Sequence, residues 1–244
     1  MKTRKELKDQ VKKTYKGNWP KAISLNIFQV ITTIITSWAL IVVGQVVYKL
    51  IFAHPGTLTG AFSDSSSSGS GSGSGSLVFD IFGTMLAIGV SYSLLDWLRT
   101  NQAPNSIFKS IFSVFSKKYF IPVLVLYILQ TVFTFLWTLL FIIPGIIKQY
   151  SYSQAYFIYK DCEASGRSED MNYLDYISES RKLMKGHKFE LFVLQLSFLG
   201  WIILSCVTLG FGFIWLVPYM NGVMAEYYRQ LAGDKFTNPQ FTHN

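Results

Sequence analysis

The sequence predicts an all-α, polytopic membrane bundle of about six transmembrane helices, run as three hairpins with amphipathic helices along one interface. Three observations carry that expectation. Half of the 244 residues are hydrophobic and only 15% are charged, against about 25% charged in an ordinary soluble domain. The apolar residues fall in runs at 22–53, 77–98, 119–143, 145–159, 189–206 and 213–231, and about 20 such residues cross a hydrocarbon core of about 30 Å. Finally, of the 22 Lys and Arg, eight lie in 1–21, four in 99–118, six in 160–188 and two in 229–244. Basic residues accumulate on the cytoplasmic side of membrane proteins, so all four segments are expected there. An even number of crossings then separates each from the next, which gives hairpins at 22–98, 119–159 and 189–231.

Taken in order, residues 1–21 read as a basic cytoplasmic helix whose narrow apolar stripe, Leu7, Val11, Tyr15 and Trp19, is expected to rest on lipid. The first apolar run is too long for the core of a signal peptide, so 22–53 stands as a span. Residues 54–76 contain no Lys or Arg and form the outer loop of the first hairpin. Their Ser/Gly tract at 63–76, a native tether or an inserted linker, offers flexibility and no chemistry. In 99–118, Ile107, Phe108, Ile111, Phe112 and Phe115 recur at helical spacing opposite Ser106, Lys109, Ser110 and Ser113. That pattern predicts an interfacial helix with Phe112 and Phe115 among acyl chains.

The second hairpin, 119–159, has a short return arm carrying Lys148 and Gln149. It either crosses as a short sixth span or turns back as half of a re-entrant loop, and the span is preferred. Residues 160–188 are a cytoplasmic loop and helix with a weaker stripe, Tyr173, Tyr176, Ile177, Ser180, Leu183 and Met184. The third hairpin, 189–231, is interrupted by Pro218, Asn221 and Glu226, and 232–244 is a cytoplasmic tail. Each hairpin follows an amphipathic stretch that ends in a basic turn, at Lys16-Gly17-Asn18-Trp19, Lys117-Lys118-Tyr119-Phe120 and Lys185-Gly186-His187-Lys188. This suggests one unit used three times, although Lys and aromatics gather at any cytoplasmic boundary.

Sites of familiar chemistry are not expected. On this topology Cys162 is cytoplasmic and Cys206 lies near the outer end of a span, so they do not pair. His54, His187 and His243 are dispersed, with no metal-ligand spacing, and no catalytic, metal or cofactor residue is assigned. The Gly-x-Gly in "LGFGF" reads as a tight turn between spans, and no nucleophile elbow, zinc-protease or phosphate-loop pattern occurs. The net charge of +8 sits at membrane boundaries, so anionic lipid headgroups account for it without nucleic acid.

Several stretches carry a resemblance: "LKDQVKKTYKGNWPKAI", "FIIPGIIKQYSYSQAYFIYKD", "SRKLMKGHK", "FLGWIILS" and "TLGFGFIWLVPYMNGVMAEYYRQL". In this order they resemble an uncharacterised bacterial integral membrane family, domain of unknown function 975, most closely over 140–232. The resemblance implies a multi-pass protein of the cytoplasmic membrane, typical of Gram-positive bacteria, with no assigned activity. A looser likeness to the membrane domain attached to some glycerophosphodiester phosphodiesterases points toward lipid.

Within the spans, the candidate polar or hinge residues are Asp80, Pro144, Gly145, Lys148, Pro218, Tyr219 and Glu226. Asp80 and Lys148 each lie about one turn below the outer surface and are candidates for an ion pair, while a lysine there also snorkels readily. Pro144-Gly145 and Pro218 are candidate helix breaks. Polar stripes such as Asn26, Thr33 and Ser37 pack helices together or converge on a carrier's cavity. The functional expectation is a non-enzymatic membrane protein that organises lipid or a membrane complex. The alternatives are a small carrier for a lipid or amphipathic molecule and a membrane regulator or immunity-type factor. Lipids are the expected partners, with a protein partner or a second copy of the chain beside them.

Overall fold

The computed structural model describes residues 3–52, 72–168 and 171–237, and every regular element among them is helical. In chain order these are α1 (Arg4–Tyr15), α2 (Trp19–Leu25), α3 (Ile27–Phe52), α4 (Ser72–Thr100), α5 (Ile107–Ile111) with a 3-10 turn at Phe112–Phe115, and α6 (Phe120–Leu140). There follow α7 (Ile142–Tyr152), α8 (Ala155–Ala164), α9 (Tyr173–Leu183), α10 (Lys188–Leu196), α11 (Leu199–Val207) and α12 (Phe213–Ala232).

The second half of α4 is the centre of the molecule. Leu86, Val90, Leu94, Leu95, Trp97 and Leu98 point in several directions around it and are all buried, because α12, the 3-10 turn, α5 and α3 pack around it. A helix apolar on every side is stable only when enclosed. The Ser/Gly tract departs from a pure tether here, since α4 begins at Ser72 and takes residues 72–76 into the helix.

Helix α1 starts at a capping box, in which the Thr3 amide donates to Glu6 at 2.8 Å and spares the first turn an unpaired donor. Its stripe does not rest on lipid. Leu7, Val11 and Tyr15 are fully buried against α12 and, through a Tyr15–Trp97 ring contact at 5.1 Å, against α4. Gly222 makes the fit: a Cβ there would stand 2.4 Å from the Tyr15 hydroxyl and 2.8 Å from Val11. With no side chain in the way, three large residues dock in a groove, each contributing about 1.5–3 kcal/mol on burial. The stripe of α9 behaves likewise, with Tyr176, Ile177, Ser180 and Met184 buried.

The expected interfacial helix at 105–118 is one short helix and a 3-10 turn. Phe108 is 78% exposed and Phe112 lies outside too. Phe115 instead turns inward, with its ring 5.3 Å from Phe82 and 5.9 Å from Phe120. The tightening from α to 3-10 geometry rotates Phe115 off the outer face, so only part of the stripe is available to lipid.

Six full spans are not supported. Among the described residues three segments have the length and apolarity to cross a bilayer: Ile81–Thr100, Phe120–Leu140 and Lys188–Val207, the last formed by α10 and α11 in succession. Ile27–Trp38 is the apolar first half of α3, a helix of 26 residues. The arm expected to return as a sixth span is α7, and its 11 residues reach only about 16 Å. Helix α12 has the length, but it carries Asn221, Glu226, Arg229 and Gln230 and is largely buried.

The α6–α7 hairpin turns on one extended residue, Phe141. Its arms then touch closely at Gly145, where a Cβ would meet Thr138 Oγ1 at 2.3 Å. At the far end of α7 the chain bends before α8, and Ser180 staples the bend. Its hydroxyl donates to the Ser151 carbonyl at 2.8 Å and accepts from the Gln154 amide at 3.2 Å.

The surface is divided. One end of the bundle exposes Phe135, Leu139, Phe141, Ile143 and Ile147 around the α6–α7 turn, and Trp201, Val207, Leu209, Phe211 and Trp215 around the α11–α12 turn. Phe141 is 67% exposed, and only 11% of Phe120–Leu140 is buried. Exposed apolar surface on this scale marks a site of contact with a protein or a membrane. The other end gathers the basic segments.

Candidate functional site

At that basic end a network of buried charges draws the segments together. Asp161 on α8, 1% exposed, takes both arms of Arg99 at 2.6 and 2.8 Å and the Tyr228 hydroxyl at 2.6 Å. Next to it the Lys160 ammonium donates to the Tyr92 carbonyl and to Asp96, both at 2.5 Å. Burial lowers the Lys160 pKa against the opposing pull of Asp96. Glu179 on α9 accepts from Lys182 at 2.8 Å and from Lys235 at 3.1 Å. Burial pushes its carboxyl up, but the hydrogen bonds and the positive charges of those two lysines together outweigh burial and hold the group below its usual range. Lys118 pairs with Glu163 at 3.0 Å. These pairs join residues 99, 118, 160–163, 179–182 and 235, so three of the four basic segments meet through paired charge. The fourth, α1, arrives through its apolar stripe.

Cavities also open among the described residues, and two of them bear on the site. The first, of about 410 Å³, lies among α1, the start of α2, α11 and α12 and is lined by Trp19, Trp201, Leu204, Trp215, Leu216 and Tyr219, together with Lys8 and Lys12. Lys8 donates to Ser197 at 2.7 Å and stands 4.2 Å over the Phe198 ring. Burial, with Lys12 and Arg4 beside it, lowers its pKa. This is an apolar slot with cations at its mouth, a shape that suits a chain carrying an anionic head.

The second cavity, of about 460 Å³, lies where α7, α9 and the start of α10 meet. Lys148, Arg181, Lys182, Lys185 and Lys188 line it, with Ser151 and Ser178. Lys148 also stands 4.1 Å over the Trp137 ring.

The residues singled out from the sequence are scattered across this frame. Lys148 lies among cations of the 160–188 segment, while the Asp80 side chain falls outside the described residues. Neither proline breaks a helix. Pro144 sits in the first turn of α7, where the missing donor costs nothing, and the chain reverses at Phe141 instead. Pro218 lies inside an unbroken α12 and its carbonyl accepts the Tyr15 hydroxyl at 3.2 Å. Tyr219 lines the apolar slot and donates to the Lys8 carbonyl at 3.3 Å. Glu226 is 0% exposed and takes Arg229 at 2.7 and 2.8 Å and Gln230 at 2.8 Å.

The polar stripes mostly serve their own helices. Thr33 and Ser37 donate to carbonyls one turn back, and so does Ser91. The exception is Asn221, which donates to Asn26 Oδ1 at 2.6 Å and also to Gln29 Oε1, tying α12 to α3. Among the described residues no three His, Cys, Asp or Glu side chains gather as metal ligands.

Sequence reasoning missed the Arg99–Asp161–Tyr228 and Lys160–Asp96 links, because the partners lie 62 to 67 residues apart and nothing local marks them. Lys182, Lys185 and Lys188 were read only as boundary charges. Their spacing around the Gly186 turn was the available signal for a cluster.

Compared with protein families, the chain matches the one described as Protein of unknown function (DUF975), over residues 1–148 and 139–235. No curated protein and no solved structure matches it.

Proposed function

The chain belongs to the DUF975 family of proteins of unknown function, and from that membership and the divided surface we propose a non-enzymatic, lipid-organising protein of a bacterial cytoplasmic membrane. In this reading the apolar end enters the bilayer and segments 1–21, 99–118, 160–188 and 232–244 face the cytoplasm. Three helical hairpins enter from that side, and the second, whose return arm α7 is too short to cross, is re-entrant.

The observation that carries the reading is the exposed apolar end bordered by cations, with Lys8 and Lys12 over one apolar slot and Lys148 and its neighbours at the other cavity. Basic side chains at such a border gain about 1 kcal/mol each from an anionic leaflet. An apolar slot beside them holds the chain of a lipid whose head the lysines neutralise.

Mass spectrometry of the protein purified in native lipid tests this. Retained anionic phospholipid, with the protein resisting alkaline extraction from membranes, supports the reading. Release by alkali, or a stoichiometric protein partner with no retained lipid, contradicts it. The Asn26–Gln29–Asn221 cluster beside Pro218 favours a second reading, a small carrier for an amphipathic molecule, and a co-purifying non-lipid small molecule would select that one.

A further inference from the structure

Five cations converge on one cavity, and the pairing found elsewhere at the basic end is largely missing there. Lys148 comes from α7, Arg181 and Lys182 from the last turn of α9, Lys185 from the turn after it and Lys188 from the first turn of α10. Lys182 has Glu179 at 2.8 Å. Among the described residues no salt bridge is made by Lys148, Arg181, Lys185 or Lys188, in contrast to Arg99, Lys118, Lys160, Arg229 and Lys235, which all have a carboxylate partner. Like charges brought this close repel one another. The fold nevertheless fixes their backbones, by the Ser180 staple to Ser151 and by Tyr150, whose hydroxyl donates to Gln195 at 2.7 Å. A concave set of cations with no carboxylate among its lining residues, and with only Lys182 paired to one, is complementary to an anion with several charged oxygens.

The surroundings say what kind of anion. A neighbouring cavity of about 340 Å³ shares Lys148, Ser178 and Arg181 with the first and continues over Phe133, Trp137, Leu174 and Ile177. Lys148 marks the junction, since it lines both cavities and holds its ammonium over the Trp137 ring. Immediately before it in the chain, Ile146 and Ile147 are exposed on the apolar end. Charge recognition and an apolar trough therefore run into each other at the border of the surface assigned above to the bilayer. A free phosphate would use the cations and leave the trough empty.

We propose that the Lys148–Arg181–Lys182–Lys185–Lys188 cavity is a specific binding site for the phosphate headgroup of an anionic phospholipid, with an acyl chain lying along Phe133, Trp137 and Leu174. The site rests on the lipid-organising reading and adds a place, a charge and a stoichiometry to it. One lipid is bound per chain, and it bridges the re-entrant α6–α7 hairpin to α9 and α10. A phospholipid with two phosphates fits the surplus of charge better than one with a single phosphate.

The test is native mass spectrometry of the full chain in detergent, titrated with a two-phosphate phospholipid, a single-phosphate anionic phospholipid, a zwitterionic phospholipid and inorganic pyrophosphate. The wild type is expected to hold one two-phosphate lipid tightly, the single-phosphate lipid more weakly and the zwitterionic lipid least. Lys148→Gln with Arg181→Gln and Lys188→Gln should weaken the two-phosphate lipid on the order of a hundredfold, each cation being worth roughly fivefold near a membrane surface. A matched control, Lys5→Gln with Lys13→Gln on α1 and Lys16→Gln just after it, should leave it within about threefold.

Trp137→Ala, which keeps every charge, should weaken the lipid and leave pyrophosphate unchanged. Equal losses in the two triple variants would overturn the proposal in favour of general electrostatic attraction. Pyrophosphate displacing the lipid at equal concentration would also overturn it, by assigning the site to a soluble anion. A wild type that retains no lipid at all defeats the broader reading, whereas lipid retention indifferent to the pocket variants defeats only this site. Unchanged melting temperatures of the variants show that the fold has survived.

Discussion

Asp161→Ala removes a carboxylate that accepts three hydrogen bonds at the basic end, and its neighbour provides the assay. The substitution deletes two charged hydrogen bonds from Arg99, at 2.6 and 2.8 Å, and one from Tyr228 at 2.6 Å. Tyr228 is then buried without a partner. Arg99 keeps 25% of its side chain exposed, so water solvates part of the guanidinium. The cost therefore falls at the lower end of the range for breaking a buried ion pair, about 3 kcal/mol.

Cys162, fully buried beside Asp161, reports the loss. Burial pushes its thiol up to about 11, so at neutral pH it reacts with a maleimide only when the basic end opens. If labelling follows the population of the open form, 3 kcal/mol raises its rate on the order of a hundredfold. The measurement is made in detergent in a Cys206→Ser background, with the melting temperature as a second readout. Arg99→Ala combined with Asp161→Ala should be milder than the sum of the two single changes, by about 0.5–3 kcal/mol. A labelling rate within threefold of wild type, with additive single effects, would refute the claim that this network closes the basic end.

Three further expectations follow from separate parts of the fold. Gly222→Ala places a methyl group 2.4 Å from the Tyr15 hydroxyl and should cost about 1–3 kcal/mol; Tyr15→Phe in the same chain should recover part of it in a thermal melt, and a neutral Gly222→Ala would mean that α1 is not docked in this groove. Because its folded pKa is lowered, Glu179 contributes stability that is fully present above its unfolded value of about 4.3 and is lost as pH falls through the folded value. The melting temperature of wild type should therefore drop more steeply with acidification than that of Glu179→Gln, and parallel curves would contradict it. Phe112→Asp should leave the melt nearly unchanged while weakening attachment of the 105–118 segment to vesicles, whereas Phe115→Asp should destabilise the fold; equal melts for the two would show that Phe115 is not packed against Phe82 and Phe120.

How much of this was legible in the sequence depended on the range of the interaction. The helical class followed from the apolar runs, and the α1 stripe of Leu7, Val11 and Tyr15 was visible at its spacing. Its partner was not, because the same stripe suits lipid or a protein groove. The deciding residue, Gly222, lies more than 200 positions away.

Hydropathy also counted Gly145–Tyr159 as an arm of a hairpin, although α7 stops at Tyr152 and α8 is buried in the core. An apolar run records the wish to leave water and does not distinguish a bilayer from a protein interior. Pro144 and Pro218 were legible as irregularities, but a proline in a first turn costs little and a packed helix absorbs another. Lys148 stood out by its isolation in an apolar run. Its companions Arg181, Lys182, Lys185 and Lys188 did not, since boundary cations all look alike until the fold brings them to one cavity.

A membrane role requires the apolar end to lie in the bilayer with the paired-charge end outside it. Single spin labels at Leu139, Val207 and Phe211 in reconstituted vesicles, compared with labels at Glu163 and Lys182, measure this directly through their collisions with oxygen and with a water-soluble nickel chelate. Labels at the first three positions should be quenched by oxygen and protected from nickel, and labels at the other two should show the reverse. Nickel access at Leu139 and Val207 equal to that at Lys182 would mean that both ends face water, and the proposed membrane role would fall with it.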